Sequence, residues 1–455
     1  MPRDSDLRRL LVITYHFPPD GAIGGQRWAG LSKYLARLGW EVHVVTASPA
    51  GPEEPTPNVH RHFRPRRRTL NDAYRAVAGR FRRPLSSNHQ LMRKNPAPPR
   101  SFSPFKPVAA IRRVLGSSMS LPDDGRGWVG TAAFAARALL RERKFDIVIS
   151  SGPPHSAHFA GLAATLGRDA QFWIDMRDPW SVTQQLGGPD DWFVRAERFV
   201  LRQLERLVLP RAARVIVNTL QFRLALSIAE TDLEVKCLPN GVDLEHVPLR
   251  DLRHVEQGSI AYVGTLYFGR NLSSVCAAMR RVLIKNPEAA ANLRLNVAGS
   301  MDLPHRRKFH EEIAAAGLTS VVNLHGSLPR AQALELLSRS HLALVLAQGQ
   351  PMQVPAKIYE SVGLGVPTLV IAEDTSAAAC EARRIGAITL DSANVDGLQS
   401  LLEDMLAGRM PTRIEPKTPI TYAHLAQEWD DLLRESLNAR SRRVRKPSVA
   451  PARNV

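Results

Sequence analysis

Short apolar runs of strand length alternate with amphipathic stretches along most of this 455-residue chain. The run LLVITY at residues 10–15 is apolar and β-branched, as strands are. Trp28, Leu31, Leu35 and Leu38 then recur at spacings of three, four and three, which places them on one face of a helix. The apolar run EVHVVTA follows that helix. Strands that alternate with helices in this way predict a parallel sheet with right-handed crossover connections.

The alternation falls into two series, separated by a hydrophilic stretch at 244–258. The first series covers residues 1–245, and the second, with five strand-like runs, covers 256–412. A chain of this length is too long for a single hydrophobic core. We therefore predict the α/β class, with two Rossmann-like doubly wound domains that face a central cleft. An amphipathic stretch at 421–436 predicts one further helix.

Two segments interrupt this pattern, and they carry nearly all of the net charge of +18. Residues 50–127 are rich in Pro and Arg, with 16 Lys or Arg against five Asp or Glu, and they predict a long, partly mobile insertion. Residues 437–455 contain six Lys or Arg and no acidic residue, and they predict a basic disordered tail. Both suit attachment to an anionic membrane surface, although arginine-rich composition alone explains them equally well.

Several classes of protein are excluded by what the sequence lacks. Cys237, Cys276 and Cys380 are widely spaced and odd in number, which argues against a disulfide framework or a zinc site. We find no secretory signal and no apolar stretch of about 18 residues, so we expect a cytoplasmic protein without a membrane span. No metal-ligand cluster and no recognised nucleic-acid-binding motif is present, so we expect neither a metal nor a nucleic-acid partner.

The first candidate site is the loop GAIGGQRW, which follows the first strand. Ligands of open parallel sheets bind outside the carboxyl ends of the strands. Gly24 and Gly25 have no side chains, so a ligand can approach their backbone closely, next to the N-terminus of the following helix. The loop does not match G-x-G-x-x-G, and a plain glycine turn is the alternative.

Two further candidates follow strands of the first series. His155 lies at a strand-to-helix junction in GPPHSAH, as a catalytic residue or as a structural histidine. Asp178, in the segment IDMRDPW, could accept hydrogen bonds from sugar hydroxyls or act as a base. The alternative for Asp178 is a structural ion pair with Arg177. The turn segment LPNGVD at 238–243 is interpreted as entry into the interdomain linker.

The second series offers three charged candidates. Arg270 lies at the start of a helix in VGTLYFGRN, where it could clamp a diphosphate. Lys357 and Glu360 are three residues apart on a short helix, so they project to one side. Glu360 could bind a ribose diol while Lys357 faces phosphate. The alternative is a simple surface salt bridge between the two.

Together these segments resemble the GT-B glycosyltransferases of family 4, a large group of retaining enzymes that includes many bacterial polysaccharide enzymes. The resemblance spans nearly the whole chain apart from 50–127 and 437–455. Its most specific parts are YHFPPDGAIGGQRWAGLSKYLARLGWEVHVVT, RDPW, PNGVD and VPAKIYESVGLGVP.

The resemblance implies a role for each part of the chain. Residues 1–245 would form the acceptor domain, residues 256–412 would bind the nucleotide sugar, and the helix at 421–436 would cross back to the first domain. Gly24, Gly25 and Arg270 would contact the donor diphosphate, and Glu360 would bind the nucleotide ribose. Either His155 or Asp178 would take the place of the family's histidine in the first domain.

Two positions depart from the family pattern. The family usually has a second glutamate eight residues before the one that corresponds to Glu360, and this chain has Met352 there. The family also tends to have a lysine five residues after the arginine that corresponds to Arg270, and this chain has Val275 there. Lys357 would supply the missing cation, as in a subgroup with P-x-K-x-x-E.

The reaction implied is transfer of a sugar from a nucleoside diphosphate sugar to a hydroxyl acceptor with retention of configuration. It would need no cofactor and no bound metal, and cell-surface polysaccharide or glycolipid synthesis is the expected setting. The acceptor would be a lipid-linked saccharide at the inner face of the plasma membrane. Two alternatives stay open, a GT-B-fold sugar-nucleotide epimerase and a non-enzymatic protein that binds anionic surfaces.

Overall fold

The computed structural model describes residues 8–20, 23–49, 51, 56–72, 121–181, 192–229, 233–266, 269–301 and 303–445. Within these ranges no helix is both long enough and apolar enough to cross a bilayer.

The first domain is built on a seven-stranded parallel sheet in the order β3-β2-β1-β4-β5-β6-β7. The strands are β1 (Arg8–Thr14), β2 (Trp40–Thr46), β3 (Val59–Phe63), β4 (Ile147–Gly152), β5 (Gln171–Met176), β6 (Arg214–Val217) and β7 (Val235–Cys237). The described helices between them are α1 (Ile23–Arg37), α2 (Val129–Glu142), α3 (Ser156–Thr165), α4 (Trp192–Val208) and α5 (Leu220–Ala229). The central strands β2 and β4 are buried along their whole length, because helices cover both faces of the sheet.

The second domain repeats this plan with six parallel strands in the order β10-β9-β8-β11-β12-β13. The strands are β8 (Glu256–Val263), β9 (Arg294–Ala298), β10 (Val322–Gly326), β11 (Ser340–Leu346), β12 (Thr368–Ile371) and β13 (Ile388–Leu390). The helices are α6 (Ser273–Lys285), α7 (Leu303–Ala315), α8 (Arg330–Arg339), α9 (Lys357–Gly363), α10 (Ala377–Ile385) and α11 (Val395–Leu406). The predicted class, two doubly wound α/β domains, is confirmed.

The last helix, α12 (Tyr422–Arg445), returns to the first domain and packs on α1. Trp429 is fully buried, and its ring meets the edge of Trp28 at a centroid distance of 5.2 Å. The chain therefore crosses between the domains twice. The two crossings are hydrogen-bonded to each other, because Val242 N donates to Ile420 O (2.9 Å) and Tyr422 N donates to Val242 O (3.0 Å).

Two predicted segments differ from the structure. The segment 50–127 was interpreted wholly as an insertion, but it contributes the edge strand β3, which pairs with β2 through the register His43↔His60. Polar residues suffice there because an edge strand has one open side. The segment 437–455 was predicted to be disordered, but α12 continues to Arg445, since Ala and Arg favour helix. Residues 73–120 and 446–455 lie outside the described residues.

Candidate functional site

The loops at the carboxyl ends of the two sheets carry the predicted site residues. Strand order reverses between β1 and β4 in the first sheet and between β8 and β11 in the second. Ligands of doubly wound sheets bind at such switch points, because neighbouring loops turn away in opposite directions and leave a crevice.

In the first domain, both predicted glycines are needed for close packing. A Cβ atom at Gly24 would lie 2.6 Å from Nη1 of Arg177, and one at Gly25 would lie 3.1 Å from the backbone of Phe17. The absence of side chains therefore lets the start of α1 approach a guanidinium group. A role for these glycines in donor binding stays a prediction.

Arg177 is a cation that sequence reasoning treated only as an ion-pair partner. Its Nε and Nη2 donate to the carbonyl oxygens of Gly152 (3.1 Å) and Pro153 (2.5 Å), and Nη1 faces Gly24. The side chain is buried, and burial lowers its pKa, although Asp178 and Asp175 act in the opposite direction. A positive group is thus held against the N-terminus of α1, where the helix dipole also favours an anion.

His155 lies at the N-terminus of α3, where its ring stacks on Trp180 with a centroid distance of 5.0 Å. Its Nδ1 lies 3.4 Å from Nε2 of His158, whose Nδ1 lies 2.9 Å from the Ser150 hydroxyl. Burial lowers the pKa of His158 to about 3, so this second histidine is neutral at ordinary pH. The sequence motif contained His158, but nothing in it separated the completely buried His158 from His155, whose residue is 8% exposed.

Asp178 bridges the two domains. One of its carboxyl oxygens accepts a hydrogen bond from the Gln353 side chain at 2.9 Å. The alternative of an Arg177–Asp178 ion pair is wrong, because the described residues contain no such pair and Arg177 is turned towards the β4 carbonyls. Thr219 makes a second bridge, since its hydroxyl donates to the Met352 carbonyl at 2.8 Å.

In the second domain, Lys357 opens α9 and lies beside the loop after β8. Its Cε is 3.5 Å from the point where a Cβ of Gly264 would lie. Among the described residues Lys357 makes no hydrogen bond or ion pair. Burial lowers its pKa; Glu360 raises it, and Arg330 and Arg270 lower it further. The alternative of a Lys357–Glu360 salt bridge is therefore wrong.

The other two charged candidates are held by polar neighbours. Arg270 Nη2 donates to Gln350 at 2.8 Å, in the loop after β11. Glu360 accepts from Arg330, at the start of α8, at 2.6 Å. The sequence analysis missed Arg330 and Gln350. Their only signal was position, since each follows a strand end in the second domain.

The segment PNGVD, interpreted as linker entry, belongs to a buried network behind the site. Arg27 donates to the Pro239 carbonyl (2.6 Å) and to Asn240 Oδ1 (3.1 Å), and it pairs with Asp175 at 3.2 Å. Arg27 and Asp175 are almost completely buried. Because a buried charge needs such partners, this network fixes α1, the end of β5 and the first crossing in one arrangement.

Both departures from the family pattern are accommodated by packing. Val275 is buried in the core of the second domain. Met352 packs against the apolar cluster of the first domain that contains Trp180. Neither position therefore offers a charge to the cleft.

One group of residues with metal-ligand chemistry occurs in the described ranges, formed by Glu41, His43 and His60. It lies towards the amino ends of β2 and β3, whereas the candidate site lies at the carboxyl ends of the strands. Arg9 and Arg143 bind the Glu41 carboxylate at 2.7 Å and 2.9 Å. Two guanidinium charges on the carboxylate disfavour a cation at this place.

Comparisons with known proteins agree with the fold and with the assignment of the first domain. Residues 24–241, just under half of the chain, match the family described as Glycosyl transferase 4-like domain. No curated protein sequence matches the chain.

Several solved structures are similar in fold at low sequence identity. Sucrose-phosphate synthase from Thermosynechococcus elongatus is 14% identical, with a TM-score of 0.63 over 95% of this chain and 100% of that chain. The α,α-trehalose 6-phosphate synthase from Burkholderia multivorans is 14% identical, with a TM-score of 0.60 over 98% and 100%. Anabaena Alr3699/HepE, solved in complex with UDP and glucose, is 13% identical, with a TM-score of 0.54 over 95% and 100%. The chain thus has the GT-B fold of these structures. Its residues 24–241 match a glycosyl transferase 4-like domain, and this match places the enzyme in the glycosyltransferase class.

Proposed function

We propose that the protein transfers a sugar from a nucleoside diphosphate sugar to a hydroxyl group, with retention of configuration. The observation that carries this proposal is Lys357, a partly buried cation without a partner among the described residues, with Arg270 and Arg330 close enough to lower its pKa. Such a cluster of positive charge is suited to the diphosphate of a donor. Anabaena Alr3699/HepE and a trehalose-6-phosphate enzyme of E. coli were solved with UDP and with UDP-2-fluoro glucose, which supports a donor of this class.

In this proposal the leaving diphosphate lies between the domains. Its negative charge grows as the bond to the sugar carbon breaks, and Lys357 and Arg270 stabilise it. Gly24, Gly25 and the N-terminus of α1 approach it from the first domain. Glu360 turns from Arg330 to the ribose hydroxyls. The acceptor oxygen then bonds to the same face of the sugar, while its proton passes to the leaving group, with His155 or Asp178 orienting the acceptor.

We also propose the setting predicted from the sequence, a lipid-linked saccharide acceptor in polysaccharide or glycolipid synthesis at the inner membrane face. The excess of Lys and Arg in the segments 50–127 and 437–455 supports binding to an anionic surface. Arg66, however, is already engaged, since it pairs with Asp72 at 2.9 Å. The chemistry described for the donor requires no metal ion.

The donor site is tested by titration calorimetry with UDP and with uridine. Lys357→Met should weaken UDP binding roughly ten- to a hundred-fold, because a lost charge-assisted bond costs about 1.5–3 kcal/mol. Uridine binding should change little. Lys285→Met is the matched control, since that lysine pairs with Glu403 on the outer surface of the same domain. Equal losses for UDP and uridine in Lys357→Met would remove the support for a diphosphate at this position.

A further inference from the structure

Two neighbouring helices of the first domain, α4 and α5, expose large apolar side chains. We call this the α4–α5 surface. It consists of Phe199, Val200 and Leu207 on α4 and Leu220, Leu224 and Ile228 on α5. Phe199 is 63% exposed and Ile228 is 82% exposed. A group of this kind on one face is unusual for a surface that only meets water.

Each helix has apolar residues on two sides. One side packs against the sheet, and the apolar residues of the other side are exposed. Leu204 and Val208 of α4, and Phe222 and Leu226 of α5, pack inwards on one cluster with β5 and β6. Both helices therefore lie on the same face of the sheet. Leu220, Leu224 and Ile228 recur every four residues, so they form a second stripe on the outer side of α5.

Within the described residues of α4 and α5, the exposed charged side chains are all basic. Arg195, Arg202 and Arg206 are exposed on α4, and Arg211 is exposed just after it. The acidic residues of the described parts of both helices are not exposed, and Glu205 is buried, where it accepts a hydrogen bond from Ser181. On a helical wheel the three arginines of α4 fall next to Phe199. Apolar side chains bordered by arginine match an anionic lipid surface, where the apolar groups enter the headgroup boundary and the cations meet phosphates.

The position of the surface relates it to the candidate site. Helix α5 begins directly after Thr219, which contacts Met352 of the second domain. Helix α4 follows β5, whose carboxyl end carries Asp178. In a parallel sheet the helix after a strand starts on the side of the strand's carboxyl end, so both helices start on the side of the first sheet that carries the candidate site.

We propose that the α4–α5 surface docks the enzyme on an anionic bilayer and presents the cleft to an acceptor held in that bilayer. The docking is independent of the basic segments 50–127 and 437–455. The statement about the acceptor rests on the proposed function, whereas the docking itself does not.

Co-sedimentation of the full chain with vesicles tests the proposal. The wild type should bind phosphatidylglycerol-containing vesicles at low salt and be released at high salt, because salt screens the arginines. Phe199→Ser with Ile228→Ser should lower the bound-to-free ratio at least tenfold without a change of charge. Phe134→Ser with Ile284→Ser is the matched control and should bind like the wild type, since those side chains are exposed on other helices, at 72% and 70%.

A second pair of variants separates charge from apolar contact. Arg195→Gln with Arg202→Gln should lower binding at low salt, whereas Arg253→Gln with Arg281→Gln, which removes the same charge elsewhere, should not. Wild-type-like binding by the Phe199 and Ile228 double variant overturns the proposal, as does loss of binding only on deletion of 437–455. A dimer that the same double variant dissociates, seen by light scattering, also overturns it, because a second copy is then the occupant.

UDP titration of each variant distinguishes this proposal from the proposed function. Normal UDP binding with lost vesicle binding supports the surface and shows that the fold is intact. If the wild type binds vesicles normally but does not bind UDP, the proposed donor site is contradicted and the docking surface is supported.

Discussion

At the scale of single residues, the environment of Lys357 predicts how donor binding depends on pH. Burial lowers the pKa of Lys357, so the unliganded lysine loses its charge at lower pH than an exposed lysine. UDP affinity, taken relative to uridine, should therefore fall as pH rises, beginning below the usual lysine pKa of about 10.4. Lys357→Arg should flatten this dependence, since arginine stays charged. Calorimetry across the alkaline range measures it, and equal slopes for both proteins would contradict the assignment.

His158 makes a separate prediction about acid stability. Its folded-state pKa of about 3 lies below the ordinary value of 6.5, because burial disfavours the charged ring. The stability that it contributes is complete above pH 6.5 and is lost as the pH falls towards 3, at about 1.4 kcal/mol per pH unit. His158→Asn should thus lose less stability than the wild type between pH 6.5 and pH 4.5 in urea unfolding.

The exposed His254 provides the control for this experiment. His254→Asn should keep the wild-type slope, since that ring lies on the surface of the linker. If His158→Asn also keeps it, the acid sensitivity has another source.

At the scale of secondary-structure elements, α12 supplies part of the first domain's core. Trp429→Ala should lower the free energy of unfolding by about 3–5 kcal/mol, because a large buried ring leaves a cavity against Trp28. Gln427→Ala, on the exposed side of the same helix, should change it by less than about 0.5 kcal/mol. Denaturant unfolding compares the two. A small loss in Trp429→Ala would mean that α12 is only loosely attached.

The sequence predicted those elements whose cores are strongly apolar. The apolar patterns of β1, β2, β4 and β5 could be recognised in the sequence, as could the division of the chain into two series of strands and helices. The predicted GT-B fold is confirmed. Strand β3 was missed because its VHRHF segment is polar at a sheet edge, and β13 was missed because it has only three residues. Periodicity cannot reveal such strands, since they depend on a partner strand that is distant in sequence.

For the candidate site, the sequence indicated the strand ends but not the contacts between them. The sequence suggested partners close in the chain for Asp178, Lys357 and Glu360. In the structure the neighbours of these residues come from other parts of the chain. Gln353 and Arg330 are 175 and 30 residues away from the carboxylates that they bind. Short spacing gave no information about such pairs, because only tertiary packing brings them together.

At the scale of the whole molecule, the hydrogen bond between Gln353 and Asp178 joins the two domains. Gln353→Ala should raise the radius of gyration of the unliganded protein in small-angle scattering, because a hydrogen bond to a carboxylate contributes about 1.5–3 kcal/mol. Saturating UDP should restore the compact form. Gln399→Ala, which removes a bond within the second domain, should leave the radius unchanged. An unchanged radius in Gln353→Ala would show that Thr219 and other contacts suffice.

The return of α12 to the first domain also affects the order of biosynthesis. Trp40 and its hydrogen-bond partner Asp430 are separated by 390 residues, at 2.8 Å in space. A ribosome makes the first sheet long before it makes the helix that covers α1. The nascent first domain therefore keeps the apolar side of α1 bare while the second domain is translated and folds. A chain that stalls before residue 422 would carry that bare surface as a target for chaperones and proteases.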